Sequence, residues 1–306
     1  MARRSKRKKK KLIKLIVLLI IVLCYYFLNN YSNQISNDIN FKKVEVTTDN
    51  KLKVYYIDVG QAEAILLTEN NHNMLIDAGN RKDGVKLVNY IKSLGIDHFD
   101  YVIGTHAHED HVGGMYQIIN NFNIDKYYMP DVRVDDFTYK NLISTLKKNN
   151  LDINTPVIGQ DLNLENTSCK VLFVGTDKAD LNNDSVVMKC TFFNNSYLFT
   201  GDATNEVEHM IVNGEYGEYL KSDVLKISHH GSRYSNSAVF LNKVKPDYAV
   251  ISVGKANDYN LPAEVTLNKL NYLNLRIYRT DIDGTIISTC DGNNISFETI
   301  STDTNG

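Results

Sequence analysis

Residues 101–115 read YVIGTHAHEDHVGGM, an apolar run that is followed at once by a dense group of polar side chains. The first four residues are apolar or β-favouring and predict the end of a buried strand. Four side chains that can bind a metal then fall within six residues: His106, His108, Asp110 and His111. Imidazole nitrogens and carboxylate oxygens without a nearby Cys suit zinc or another first-row divalent ion. A solvated loop that is rich in His by chance is the alternative reading.

The spacing within this group predicts that its side chains converge. Alternate side chains of an extended segment point the same way, so His106 and His108 share one face. The turn that follows can direct Asp110 and His111 towards a second ion, which in two-metal sites lies about 3.5–4 Å from the first. The residues therefore indicate a site for divalent metal.

Length and composition are those of a globular protein. The chain has 306 residues, of which 43% are hydrophobic and 23% charged, and a single domain of roughly 250 residues is within range. The net charge of −2 hides an asymmetry, because residues 1–14 hold nine basic side chains and no acidic one. The rest of the chain has 25 basic and 36 acidic side chains, a net charge of −11. Such a body does not attract a polyanion through its general field.

The N-terminal region predicts a membrane anchor. Residues 1–11 are a basic cap, and residues 12–28 are apolar apart from Lys14, which is the short end of a transmembrane span. The basic cap would stay in the cytoplasm, so the domain would face outward from a cell membrane that the chain crosses once. A cleaved secretory signal is the alternative, but the sequence around Cys24 lacks the small-residue cleavage pattern. Residues 29–50 are polar and predict a linker.

The four Cys residues show no CxxC or zinc-finger spacing. We interpret them as unpaired small apolar residues. Whether a disulfide joins any two of Cys169, Cys190 and Cys290 is not decided by the sequence.

Strands and helices alternate through residues 51–298, before a short tail at 299–306. Helices are predicted at 83–94, 113–121, 135–148 and 207–212, with Val85, Leu87, Val88 and Ile91 on the apolar side of the first. Strands are predicted at 52–60, 64–67, 74–77, 101–104, 127–129, 171–175, 186–193, 196–202, 249–254, 276–280 and 284–288. The segment VLKISHHGS at 224–232 repeats the arrangement of a strand followed by His. This order indicates a layered α/β or α+β domain.

Six motifs occur in the order and approximate spacing of a known family: YYIDVGQAEAILL, MLIDAG, THAHEDH, LFTGD, LKISHHGS and ISVGKAN. The chain resembles the metallo-β-lactamase family, and in particular the C-terminal extracytoplasmic domain of the ComEC/Rec2 DNA-uptake proteins. The resemblance covers roughly residues 51–298. It implies an αββα sandwich with two divalent ions, Zn or Mn, bound along one edge.

The resemblance also implies roles for single residues. His106 and His108 would hold the first ion, and Asp110 and His111 the second. Asp202, at the end of LFTGD, would bridge the two. One of the neighbours His229 and His230 would ligate while the other meets substrate or packs. We assign metal binding to His106, His108, Asp110, His111, Asp202 and His230, and catalytic contact to Asp110 and His229.

Further polar residues are expected around the metal ligands. Asp77 in LIDAG is expected to orient the His loop, because ligating imidazoles usually donate their second N–H to a carboxylate or carbonyl; a plain turn Asp is the alternative. The first turn, which contains Asp58, Gly60 and Gln61, is expected to be structural. Two further loops could lie near the pocket, and their polar residues are Asn183, Asp184, Ser185, Lys255, Asn257 and Tyr259.

The chain departs from the family pattern at three points. The usual DVGQGD reads DVGQAE, with Ala62 and Glu63 in place of Gly and Asp. Where the resemblance predicts Gly-His-Pro, the chain has Asn260-Leu261-Pro262. If that His completes the shell of the second ion, the second site lacks one ligand. Occupancy by a single ion, or by a manganese-like ion, is then an alternative to two zinc ions.

The expected activity is hydrolysis of a phosphodiester by a metal-bound hydroxide. The resemblance suggests nucleic acid outside the cell as substrate. The acidic body instead favours a smaller phosphodiester, such as a decoration on a cell-wall polymer, cleaved by an enzyme similar to phosphorylcholine esterases. Two alternatives remain: a non-catalytic binding or assembly protein that lost its second metal, and β-lactam hydrolysis, which rests on fold analogy alone.

Overall fold

The computed structural model describes residues 50–175 and 180–301. The predicted anchor, the basic cap and nearly all of the predicted linker lie outside these residues. Within them, no helix combines the length and the apolar character that a membrane span needs.

Fourteen strands and eight α-helices form within the described ranges. The strands are β1 Leu52–Tyr56, β2 Ile65–Glu69, β3 His72–Ile76, β4 His98–Ile103, β5 Asn123–Tyr128, β6 Ile153–Asn154, β7 Thr167–Phe173, β8 Val187–Phe192, β9 Asn195–Phe199, β10 Val224–Lys226, β11 Tyr248–Ile251, β12 Arg276–Arg279, β13 Thr285–Cys290 and β14 Ile295–Ile300. The helices are α1 Gly84–Ser93, α2 Glu109–Val112, α3 Met115–Asn121, α4 Phe137–Lys148, α5 Asn205–Asn213, α6 Ala238–Val244, α7 Glu264–Tyr272 and α8 Thr280–Asp283. Short 3₁₀ helices occupy Leu181–Asp184, Gly217–Tyr219 and Ser228–Gly231.

The strands form two sheets. The first has the order β14-β13-β1-β2-β3-β4-β5-β6, and the second has the order β12-β11-β10-β9-β8-β7. In the first sheet β3, β4, β5 and β6 run parallel, and in the second β9, β10, β11 and β12 run parallel. In open α/β sheets, ligand sites form at the carboxyl ends of such parallel strands.

The core lies between the two sheets, where alternate strand residues of each sheet meet. Val54 and Tyr56 of the first sheet share one buried cluster with Met188 and Phe199 of the second. The opposite face of the second sheet packs against α5, α6 and α7 in a separate apolar cluster. Because both faces of the central strands are buried, these strands read as nearly continuous apolar runs.

Helices also cover the outer face of the first sheet. The Phe99 ring of β4 lies 5.2 Å, centroid to centroid, from that of Phe122 at the end of α3. The buried side chains of α1, including Leu87 and Ile91, belong to the same helical layer. The predicted sandwich of two sheets between two helical layers is therefore confirmed.

The structure corrects two details of the sequence reading. Val85 does not lie on the apolar side of α1, because its side chain is 53% exposed. Cys169 and Cys190, interpreted as unpaired, form a disulfide, since they lie directly opposite each other on the antiparallel strands β7 and β8. Cys290 is free and buried.

Candidate metal centre

All of the predicted ligands lie at one edge of the sandwich, where parallel strands of both sheets end. His106 and His108 follow β4, and Asp110 and His111 lie in the short helix α2. The second sheet supplies the rest: Asp202 after β9, and His229 and His230 after β10. The site is thus assembled from two halves, one carried by each sheet.

Four of these residues form a tight cluster: Asp110, His111, Asp202 and His230. Each offers one ligand atom, and the four atoms lie within 4.8 Å of one another. The Nε2 atom of His111 is 3.3 Å from Oδ1 of Asp202, and the Nε2 atom of His230 is 3.3 Å from Oδ2 of Asp110. The cluster joins the halves, because Asp110 and His111 come from the first sheet and the other two from the second.

Polar atoms at the centre of this cluster lack hydrogen bonds. Nε2 of His111, Oδ1 of Asp202 and Nε2 of His230 are buried and have no hydrogen-bond partner among the described residues. Leaving such atoms unpaired costs about 1–3 kcal/mol each, so they are expected to be satisfied by a bound species. Two imidazole nitrogens and two carboxylates are a donor set that first-row divalent ions accept. These residues therefore fit a metal ion.

His106 and His108 lie beside the cluster. The Nε2 atom of His106 is 3.0 Å from Nδ1 of His108 and 3.9 Å from Oδ2 of Asp202. His106 is fully buried and His108 is half-buried. Asp202 consequently faces both groups of imidazoles, which is the position that the resemblance predicts for a bridging carboxylate.

The structure separates His229 from His230. Both residues adopt left-handed backbone conformations, with φ of 52° and 51°, which non-glycine residues adopt mainly where the surroundings enforce them. His230 is buried and its Nδ1 donates to the backbone oxygen of Ser252 at 2.8 Å, which leaves Nε2 facing the cluster. The side chain of His229 is 25% exposed, and its Nε2 is 3.8 Å from Oδ2 of Asp202. His230 lies inside the cluster, and His229 lies on its open side.

Asp77 supports the His loop from behind, as predicted. It is fully buried and has a positive φ of 59°. Its Oδ1 accepts the Thr105 N–H at 2.8 Å, and its Oδ2 accepts the Thr105 hydroxyl and Nδ1–H of His111, both at 2.7 Å. With its Nδ1 proton bound in this way, His111 presents Nε2 to the cluster.

Opposite charges in the cluster shift the pKa values of its members. Burial alone would lower the pKa of His111, but the carboxylates of Asp202, Asp77 and Asp110 outweigh it and raise that pKa well above its ordinary value. Asp202 and Asp110 likewise overcome burial and raise the pKa of His230. Burial raises the pKa of Asp202, but His111 and His230 outweigh it and hold that pKa well below its usual range. The carboxylates of the cluster therefore favour positive charge at its centre, which a bound cation would supply.

The two outer imidazoles behave differently. Burial, reinforced by His111, lowers the pKa of His106 well below its ordinary value. Burial also lowers the pKa of His229. Both rings are therefore neutral near pH 7, the form in which an imidazole can ligate or accept a proton.

The sequence reading missed several residues that support the centre. Ser185, predicted only to be near the pocket, accepts the Asp202 backbone N–H on its Oγ at 3.0 Å. Asn236 holds the His turn from outside, because its carboxamide accepts the Ser228 N–H and donates to the Ser228 carbonyl, both at 3.1 Å. Neither Asn236 nor the Ser252 carbonyl carries a sequence signal, since their contacts depend on the tertiary fold.

Glu63 and Lys226 form a further contact that the sequence did not indicate. Both side chains are fully buried, and they make an ion pair. Burial raises the pKa of Glu63, and the ammonium of Lys226 opposes this. The sequence marked Glu63 only as a departure from the family pattern.

The loop at 254–262 forms a wall beside the His turn. Ala263, just after this loop, donates its N–H to the Gly231 carbonyl at 3.0 Å, and the Gly254 N–H donates to Oε1 of Gln61 at 3.0 Å. Asn257 holds the loop together through its side chain, whereas Tyr259 is exposed. Leu261 packs against the apolar cluster between the second sheet and its helices.

Three comparisons with known proteins place this geometry in context. The family model described as the metallo-beta-lactamase superfamily matches residues 57–255. The chain is 28% identical over 253 residues to ComE operon protein 3 of Bacillus subtilis, covering 76% of this chain and 32% of that protein. It is 27% identical over 243 residues to competence protein ComA of Neisseria gonorrhoeae, covering 79% and 33%. The chain thus spans about a third of the length of these relatives.

Solved structures with this fold are more distant in sequence. The metallo-beta-lactamase fold protein YhfI of Bacillus subtilis matches with a TM-score of 0.50 and 12% identity, covering 75% of this chain and 96% of that one. CmlA, a diiron beta-hydroxylase from Streptomyces venezuelae, matches with a TM-score of 0.53 and 13% identity, covering 83% and 55%. At such identities the likeness shows the fold alone.

Proposed function

Since the chain belongs to the metallo-β-lactamase superfamily, we propose that it is a metal-dependent phosphodiesterase, held at the outer face of a membrane. The observation that carries the proposal is the cluster of Asp110, His111, Asp202 and His230. One inward-facing atom of each of the last three is buried and has no hydrogen-bond partner among the described residues. A divalent ion bound there would supply Lewis acidity and a nucleophile at neutral pH.

The protein's own residues divide the remaining work. Asp110 is the most exposed member of the cluster, with 31% of its side chain accessible, and it orients the attacking water from the solvent side. His229 lies at the opening, and burial lowers its pKa, so the neutral ring can accept a proton at Nε2. Asp77 and Ser185 keep His111 and Asp202 in place and do not reach the substrate.

A phosphodiester substrate is supported by the relatives and not by the pocket. The relatives at 26–28% identity are a ComE operon protein, a competence protein and a recombination protein, names that point to nucleic acid. The net charge of −11 outside residues 1–14 favours a substrate with few phosphates over one held by long-range attraction. Short nucleic acid strands and the phosphodiesters of wall polymers both meet that condition.

Outward placement is supported by two separate observations. Residues 12–28 are apolar and follow a basic cap, the order of a span whose N-terminus stays in the cytoplasm. The disulfide between Cys169 and Cys190 is of the kind that persists in oxidising compartments.

The test uses the full chain, purified in detergent. Metal content is measured together with hydrolysis of bis-p-nitrophenyl phosphate in Mn²⁺ and Zn²⁺. A His108→Ala/Asp110→Ala variant is compared with a His98→Ala/Asp125→Ala control, which removes the same two residue types. His98 and Asp125 lie 3.0 Å apart and outside the cluster. Metal-dependent turnover that only the first variant loses is the expected result.

Other results would change the conclusion in distinct ways. Bound metal with no turnover of this ester, of a DNA oligonucleotide or of a glycerophosphodiester would refute the phosphodiesterase. The non-catalytic alternative would then be favoured. Absence of both metal and turnover would refute the metal centre itself.

A further inference from the structure

The buried ion pair between Glu63 and Lys226 is unusual because neither side chain has any exposed surface. Removing two charges from water costs several kcal/mol per ion. Replacing a buried ion pair with apolar residues of similar volume therefore often leaves a protein equally stable. The Nζ atom of Lys226 also donates to the backbone oxygen of Ile227 at 2.9 Å. Stability of the core alone therefore does not account for the pair.

The backbone of Glu63 is attached to the half of the metal centre that the first sheet carries. Its N–H donates to the backbone oxygen of Asp110 at 3.0 Å, and its carbonyl accepts the Gly79 N–H at 2.8 Å. Gly79 lies two residues after Asp77, which binds His111. A movement of Glu63 therefore displaces both the Asp110 loop and the support of His111.

Lys226 is attached to the half that the second sheet carries. It is the last residue of β10, three residues before His229. Its carbonyl accepts the Thr200 hydroxyl at 2.8 Å, and Thr200 lies two residues before Asp202. Lys226 thus connects the strand ends from which Asp202 and His230 project.

We propose that Glu63 and Lys226 are positioning residues whose ion pair sets the separation of the two halves of the metal centre, and hence the affinity for a divalent ion. The proposal rests on the metal-binding part of the proposed function and is independent of the substrate. Neither residue is expected to contact the ion or the substrate, and both act through the loops that they join.

The proposal makes side-chain length important as well as charge. Glu63→Asp keeps the charge and the ion pair but shortens one partner by a methylene group, so the halves must shift to keep contact. A Glu63→Gln/Lys226→Met double variant keeps the volume and removes both charges. If the ion pair only stabilised the core, the double variant would fold and bind metal as the unchanged protein does.

The experiment measures metal binding directly in the full chain in detergent. Co²⁺ affinity is determined by titration, the ligand field is followed in the visible absorption of the Co²⁺ form, and folding is checked by circular dichroism. Lys189→Met is the matched control, because Lys189 is a buried lysine of the second sheet that donates only to the Tyr219 and Lys221 carbonyls in the hydrogen bonds seen here.

Glu63→Asp and the Glu63→Gln/Lys226→Met double variant are both expected to bind Co²⁺ at least about 10-fold more weakly, which is the effect typical of residues that orient ligands. Both variants are also expected to change the Co²⁺ spectrum. Lys189→Met is expected to keep the affinity and spectrum of the unchanged protein. Unaltered Co²⁺ affinity and spectrum in folded Glu63→Asp would overturn the proposal. Should the double variant not fold, Glu63→Asp alone provides the test. If the unchanged protein binds no Co²⁺, the proposed function fails together with this inference.

Discussion

Replacing Asp77 with Asn would test how the protein selects the tautomer of a ligand. The Asp77 carboxylate accepts three hydrogen bonds: two from Thr105 and one from Nδ1 of His111. Asn has the same shape but only one acceptor oxygen, which can still receive the Thr105 N–H. Its NH₂ group then faces Nδ1 of His111, so that nitrogen must become the acceptor and the proton moves to Nε2. Nε2 is the atom that faces Asp202 at 3.3 Å, and once protonated it cannot bind a metal.

The size of the effect follows from these contacts. Loss of a residue that orients a ligand typically reduces metal affinity by about 10–100-fold, which corresponds to about 1.4–2.8 kcal/mol. A hydrogen bond to a charged group contributes about 1.5–3 kcal/mol to folding stability, so a loss of free energy of unfolding in that range should accompany it. The metal affinity should fall even under conditions in which the variant is fully folded.

The assay combines calorimetric Mn²⁺ titration with ¹⁵N NMR of the histidine rings of the metal-free protein, at a pH high enough for His111 to be neutral, which distinguishes the two tautomers. Asp100→Asn is the matched control, because Asp100 also binds a His Nδ1, that of His72 at 2.8 Å, together with the Asn73 N–H at 2.7 Å. The control should lose stability without losing metal affinity. Asp77→Asn protein that binds Mn²⁺ as tightly as the unchanged protein, or that keeps the proton of His111 on Nδ1, would refute this reasoning.

Three further predictions concern the cluster and the disulfide. His230→Gln should lose most of its bound metal by elemental analysis, whereas His229→Gln should keep it and lower kcat by about 100-fold; equal metal loss in both would contradict their separate positions. Because neighbouring carboxylates raise the pKa values of His111 and His230, protons stay on the metal-free rings above their ordinary pKa, so apparent Mn²⁺ affinity should keep rising with pH above about 6.5. Calorimetry in two buffers of different ionisation enthalpy should detect the released protons, and a flat profile would count against this. Cys169→Ala/Cys190→Ala should reduce the free energy of unfolding by about 3 kcal/mol, since the disulfide closes a loop with a sequence separation of 21; denaturant unfolding that matches the oxidised protein would disprove it.

Much of the fold was predictable because its central strands are buried on both faces and its longer helices are amphipathic. Apolar runs such as that of β4 and the periodicity of α1 and α4 are local signals. The sequence reading missed α6 and α7. Their buried residues, such as Phe240 and Leu270, belong to one cluster with the second sheet and with α5, so their burial depends on tertiary contacts. The disulfide was hidden for a related reason, since the register of β7 against β8 decides which Cys residues meet.

The positions of the candidate ligands were predictable from motifs, but the different surroundings of His229 and His230 were not. A strand end followed by two His residues indicates that one side chain points inward, and alternation alone cannot say which when both residues have positive φ. Contacts with the Ser252 carbonyl and with Asp202 distinguish them in the folded chain. Glu63 and Lys226 lie far apart in sequence, and no local pattern links them.

The departure at Leu261 suggested that the second ion would lack a ligand. The structure instead places fewer convergent ligand atoms at His106 and His108, the pair assigned to the first ion. The pair assigned to the second ion, Asp110 and His111, is the one that converges with Asp202 and His230, because the four ligand atoms lie within 4.8 Å of one another. Leu261 packs into an apolar cluster and takes no part in it. The pair assigned to the first ion is looser, since His108 is half-buried and Asp202 is 3.9 Å from His106. The number of convergent ligand atoms therefore favours binding of a divalent ion at the cluster of Asp110, His111, Asp202 and His230 over binding at His106 and His108.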